Sequence, residues 1–119
     1  MAAALTITGF HDAVDYKLVS CTSIEDATKF VNVTGSSGTL YAAYLNSAGA
    51  TSSVSLHILD GKNTANSEIV IKGSGSVTRS VQIPTGFAFG ALNFWVSASS
   101  GEDNTDDFAG SVAVTLVCT

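Results

Sequence analysis

Ser53-Val54-Ser55-Leu56-His57-Ile58-Leu59-Asp60-Gly61 alternates apolar and polar residues and then stops at an Asp-Gly pair. Side chains of an extended chain point to opposite faces in turn, so Val54, Leu56 and Ile58 share one side and Ser53, Ser55 and His57 the other. Asp-Gly is a strong tight-turn dipeptide, so the stretch predicts a strand over 52–59 closed by a turn. The same rhythm returns in Val77-Arg79-Val81-Ile83, in Leu92-Phe94-Val96-Ala98 and in Val112-Val114-Leu116-Cys118. Gly, Ser, Asn or Asp-rich loops separate the runs. Repetition at this spacing predicts an all-β protein, a sandwich or barrel.

Further strands are expected over Asp15–Thr22, Lys29–Thr34, Thr39–Asn46 and Ser67–Lys72. Ser23-Ile24-Glu25-Asp26 reads as a turn or a single helical turn between two of them. In Thr39–Asn46, Leu40, Ala42 and Tyr44 alternate with Tyr41, Ala43 and Leu45, which predicts a central strand covered on both sides. Gly73-Ser74-Gly75-Ser76 lies between two strand patterns and predicts a hairpin. Pro84-Thr85-Gly86 is expected to punctuate the chain before a last sheet region opening at Phe87. Residues 1–14 form an N-terminal arm or extra strand, with Leu5 and Ile7 alternating, and residues 15–119 form one domain. The expected fold is a jelly-roll-like β-sandwich of about eight antiparallel strands with a short N-terminal arm.

The chain has 119 residues, 45% of them hydrophobic and only 13% charged, and a net charge of −5. That length suffices for one domain with a real core. The charged share is about half the usual one. Lys and Glu make sheet edges repel one another, and their scarcity points to an assembly that covers edges and faces. Four lysines and the single arginine, Arg79, form no cluster, so neither nucleic acid nor an anionic membrane surface is an expected partner. The opening Met1-Ala2-Ala3-Ala4-Leu5 has no basic region or apolar stretch of the signal-peptide type, so folding in a cytoplasm is expected. Cys21 and Cys118 read as separate thiols more readily than as a bridge, Cys118 falling in phase with the apolar face of its strand.

No pattern announces catalysis, and the expectation is a protein that is not an enzyme. His11-Asp12 and His57 are the titratable candidates, yet no G-x-S-x-G elbow accompanies them. His57 is read as an exposed or interface residue because it faces away from the core. Two cysteines and two separate histidines supply too few metal ligands, and no cofactor is expected. Glu102-Asp103-Asn104-Thr105-Asp106-Asp107 reads as a solvated loop with a weaker reading as a divalent-cation seat. Phe94 falls in phase with the core, whereas Trp95 points the other way, between Asn93 and Ser97. There it is a subunit-interface anchor, second-layer packing or a ligand platform.

Three stretches in series carry a family likeness: Gly38-Thr39-Leu40-Tyr41-Ala42-Ala43-Tyr44-Leu45-Asn46, Val54-Ser55-Leu56-His57-Ile58-Leu59-Asp60-Gly61 and Ile83-Pro84-Thr85-Gly86-Phe87-Ala88-Phe89-Gly90-Ala91-Leu92. The succession resembles capsid decoration (cement) proteins of tailed bacteriophages. The resemblance implies a structural virion protein on the capsid exterior, made in the host bacterial cytoplasm. It implies binding between subunits of the major capsid protein, commonly as a homo-oligomer, a trimer. On this reading Tyr41, His57 and Trp95 make contacts within the oligomer or to the shell, and Leu5, Ile7 and Phe10 dock on neighbours. The alternative is a lectin-like, carbohydrate-binding β-sandwich of a phage tail, fibre or cell surface, resting on Trp95 with Asn93 and on the acidic loop.

Overall fold

A computed structural model describes residues 3–9, 16–61, 68–73, 78–99, 101 and 104–119. Among them are eight strands and no helix: β1 (Ala4–Gly9), β2 (Lys17–Ile24), β3 (Gly38–Asn46), β4 (Val54–Asp60), β5 (Ile69–Gly73), β6 (Thr78–Phe89), β7 (Leu92–Ser97) and β8 (Val112–Cys118). They form a five-stranded sheet in the order β1-β2-β8-β3-β6 and a three-stranded sheet in the order β5-β4-β7. Every pairing is antiparallel.

Between β2 and β3 the chain crosses to the smaller sheet. Phe30 bridges to Phe94 of β7 with reciprocal backbone hydrogen bonds of 2.8 and 3.0 Å, and the Val33 N–H donates to the Leu92 carbonyl at 3.0 Å. From β2 onward the path then crosses between the sheets at each step except from β4 to its neighbour β5, which is jelly-roll order, with β1 added outside β2. The expected strand over Lys29–Thr34 is therefore reduced to a bridge. Asn32 has a left-handed φ of 49°, and its N–H bonds the Asn93 side chain at 2.7 Å, so the ladder cannot continue.

Three other expectations need correction. The hairpin across Gly73–Ser76 does not form, because β5 pairs with β4 while β6 pairs with β3 in the opposite sheet. Residues 74–77 themselves lie outside the described set. Ser23 and Ile24 continue β2 through a bulge in which Ser23 takes a φ of 58°. Pro84-Thr85-Gly86 does not end a strand either, since β6 runs on to Phe89. β6 is an edge strand, where the missing proline N–H costs no ladder bond. Its register with β3 jumps from Leu40↔Phe87 to Ala42↔Gln82, leaving residues 83–86 and Tyr41 in a double bulge. Gly86 holds φ at 81° there, and a Cβ on it would lie 2.2 Å from Thr39 Cγ2. The bulge places Tyr41 beside Ala42 on the outer face, so β3 is central but packs its apolar face on one side.

The core lies between the sheets. Val19, Cys21, Leu40, Leu45, Leu56, Ile58, Phe94, Val96, Val114 and Leu116 are all buried in it. Each such side chain stabilises the fold by about 1.5–3 kcal/mol before entropy is counted. Phe30 and Phe94 stack at 4.9 Å, which pins the bridging segment over the end of the core. Asp60 accepts the Gly90 N–H at 3.0 Å, and the Gly61 N–H donates to the Ala91 carbonyl at 2.7 Å, tying the end of β4 to the β6–β7 turn. Cys21 and Cys118 are free and buried, and burial raises both thiol pKa values. Cys118 pairs opposite Lys17, four residues along β2 from Cys21. At about 3.4 Å per residue the two are roughly 14 Å apart, beyond disulfide reach.

Candidate functional site

β4 and β7 set His57 directly opposite Trp95 on the outer side of the three-stranded sheet. Their rings stack at 4.5 Å and 3°. The alternation had assigned both residues to the side away from the core, and that is where they lie. Their expected exposure, however, is overturned: both are 0% exposed within this single chain. The cover is the polar segment before β8. Trp95 Nε1–H donates to the Asn104 carbonyl at 2.8 Å, the Ala98 N–H donates to the Asp106 carbonyl at 2.9 Å, and Phe108 is buried close by in sequence. Of the roles weighed for Trp95, the geometry is that of second-layer packing.

His57 Nε2 lies 2.7 Å from Ser97 Oγ and 3.1 Å from the Ser99 carbonyl, while the Ser97 hydroxyl donates to the same carbonyl at 2.9 Å. A carbonyl only accepts, so this network places the proton on Nε2. Burial holds the His57 pKa below its ordinary value; the Ser99 carbonyl opposes that shift, and Lys29 reinforces it. Lys29 Nζ sits 4.6 Å from the Trp95 ring centroid. The result is a closed layer of indole and imidazole under a lysine. No substrate reaches that imidazole unless the covering segment moves.

Asn104, Asp106 and Asp107 of the acidic loop are built into the same cover. Asn104 Nδ2 donates to Asp106 Oδ2 at 3.1 Å, and Asp107 Oδ1 accepts the Ala27 N–H at 3.0 Å. Among the described residues, no three His, Cys, Asp or Glu side chains are grouped to hold a metal ion. Glu102, Asp103, Phe10, His11 and Asp12 lie outside the described set.

Leu5 and Ile7 belong to β1, the extra strand among the two readings of the N-terminal segment. Leu5 pairs opposite Cys21 and Ile7 opposite Val19, so both side chains are on the inner face. They are nevertheless 40% and 39% exposed. The reason is width: a five-stranded sheet faces a three-stranded one, and its outermost strand overhangs. Tyr41, half-buried, is on the outer face of the larger sheet, far from the His57–Trp95 stack. Of the six residues predicted to make contacts, the five that are described, Leu5, Ile7, Tyr41, His57 and Trp95, therefore do not form one surface. What alternation missed is the tyrosine groupings created by the bulge, for which a proline and a glycine in one strand pattern were the signal.

No family model matches this sequence, and no curated protein matches it. Among solved structures, a chain from Bacillus endospore appendages, described as a novel family of disulfide-linked pili, is 14% identical. The match covers 100% of this chain and 91% of that one with a TM-score of 0.44. The Drosophila melanogaster CENP-C cupin domain is 11% identical over 95% of this chain and 73% of that one, with a TM-score of 0.28. Overlaps this low carry no functional weight, so the all-β sandwich rests on the chain's own strand order.

Proposed function

We propose that this chain is a structural, non-enzymatic assembly protein, and specifically one that decorates a tailed-bacteriophage capsid by binding between major capsid subunits. The observation that supports the reading is the overhanging β1, whose inner-face Leu5 and Ile7 are left about two-fifths exposed, with no opposing strand above them among the described residues. A sandwich layer without its cover is completed by a neighbouring subunit. The outer edge of β1 also offers unpaired backbone donors and acceptors to a neighbour's strand. With 13% charged residues, little on the surface opposes such contact. Individual contacts need contribute only modestly, because an oligomer engages several sites at once. A homotrimer on the capsid exterior, made in the bacterial cytoplasm, is the form in which this reading is most concrete.

Sedimentation of the purified protein, alone and with expanded heads of the phage that encodes it, tests the proposal. Multimers and co-sedimentation are expected, both weakened in the double substitution Leu5→Ser, Ile7→Ser. A monomer at high concentration that ignores expanded heads would overturn it. The lectin-like alternative loses Trp95 as an exposed platform, since the indole is buried and bonded to the Asn104 carbonyl.

A further inference from the structure

All three tyrosines of the chain border one groove of about 430 Å³ on the outer face of the five-stranded sheet. Tyr16, Tyr41 and Tyr44 are joined there by Gln82, Ile83 and Pro84, over a floor that includes Ala42 and Val117. The double bulge builds the groove. It turns Tyr41 to the same face as Tyr44, and it lifts Ile83 and Pro84 of β6 into one wall. Tyr16 and Tyr41 meet edge to face at 5.6 Å and 86°, which fixes the ring of Tyr41. Gln82 Nε2 donates to the Tyr44 hydroxyl at 3.2 Å, so the hydroxyl proton stays available to a ligand.

Among the described residues, no charged side chain lines this groove. Lys17, next to Tyr16 in sequence, occupies an inner-face register position opposite Cys118, and its Nζ is directed to Ser36 Oγ at 3.4 Å. The ligand that fits is therefore neutral, with flat apolar faces and groups that both donate and accept hydrogen bonds. Sugar rings have that character: C–H faces for the aromatic rings, hydroxyls for Tyr and Gln. A proline-rich peptide is also neutral, but its proline carbonyls only accept. Moreover, β3 and β8 are interior strands with both edges paired, so no backbone ladder is open to a peptide in the groove.

A second feature extends the site. Thr6, Ser20, Thr115, Tyr44 and Ser80 occupy one register row across all five strands, each opposite the next. Strands stand about 4.8 Å apart, so the row is a hydroxyl track roughly 19 Å long running through Tyr44. Each step is close to the rise of one residue in an extended sugar chain.

We infer that the tyrosine groove binds a neutral, extended oligosaccharide laid across the five-stranded sheet. The site stands apart from the assembly surface, because Leu5 and Ile7 are on the inner face, and either can fail without the other.

Calorimetric titration with cellohexaose, maltohexaose and chitohexaose, and with a polyproline decapeptide as comparator, provides the test. At least one hexasaccharide is expected to bind. Tyr41→Ala should weaken it about tenfold or more, by loss of one stacking ring, and Tyr44→Phe, which keeps the ring, severalfold. Thermal melts of both variants establish that they are folded, and Trp95→Phe should leave the affinity unchanged. Absence of binding by all three sugars at millimolar concentration would overturn the inference. So would affinity indifferent to both tyrosine substitutions in folded protein, or tighter binding of polyproline. A tyrosine-dependent self-association that the sugars do not compete with would count against it equally.

Discussion

Removing the indole of Trp95 should be the costliest single change on the outer side of the smaller sheet. Trp95→Ala deletes a side chain that is 0% exposed, stacked on His57 at 4.5 Å and hydrogen-bonded to the Asn104 carbonyl at 2.8 Å. A buried tryptophan removes on the order of 200 Å² from water, worth about 5 kcal/mol at 25 cal/mol/Å². The hydrogen bond contributes about 1 kcal/mol and the ring stack a similar amount. Partial collapse of the site returns some of this, which leaves about 4 kcal/mol, within the range found for aromatic-to-alanine truncation. With a urea slope of about 1.5 kcal/mol/M, the unfolding midpoint falls by roughly 2–3 M. Far-UV circular dichroism is the right monitor, because Trp95 is the only tryptophan and its fluorescence disappears with it. Trp95→Phe keeps most of the packing and loses the N–H, so about 1–2 kcal/mol is expected. A loss below about 1 kcal/mol for the alanine variant would mean that the indole is a surface group, and the account of a sealed second layer would be wrong.

Acidification should loosen the same layer. The folded-state pKa of His57 is held below its unfolded value of 6.5, so the folded protein resists protonation. The stability this residue contributes is complete above that value and is lost as pH falls through the depressed folded pKa. Trp95 fluorescence and the melting temperature should both drop as pH falls below 6.5, and His57→Gln should flatten the profile; a flat wild-type profile would contradict this. Gly86→Ala forces a side chain into a φ of 81° with its Cβ against Thr39 Cγ2, and a loss of about 2 kcal/mol or more is expected in chemical denaturation. An unchanged midpoint would place the double bulge elsewhere. Asp60→Ala releases the Gly90 N–H and should cost roughly 1 kcal/mol, with amide exchange at Gly90 accelerating; unaltered exchange would refute the cap.

Much of the fold was legible because each inner face repeats at every second residue, as in Leu92, Phe94 and Val96 or Val112, Val114 and Leu116. The same periodicity reports only which side of a sheet a residue takes. It put His57 and Trp95 on the side away from the core and could not foresee that Asn104–Phe108 folds over them, because that segment reads as a solvated loop. Local turn chemistry has a similar blind spot. Gly73–Ser76 marks a break between two strands but not that the second one joins the other sheet. Tyr41 was assigned to the wrong face because a bulge adds one residue and inverts the count after it. Leu5 and Ile7 were found as an apolar pair, whereas their exposure depends on the unequal widths of the two sheets, a long-range property that no short stretch encodes.

The position of β8 has a consequence for biosynthesis. It lies between β2 and β3, so the larger sheet cannot zip up until Val112–Cys118 has left the ribosome. Until then the nascent polypeptide carries two half-sheets with raw edges, open to trapping by other chains or by chaperones. The finished molecule thus appears in one late step, and a nascent chain stalled before Val112 should remain protease-sensitive along its whole length.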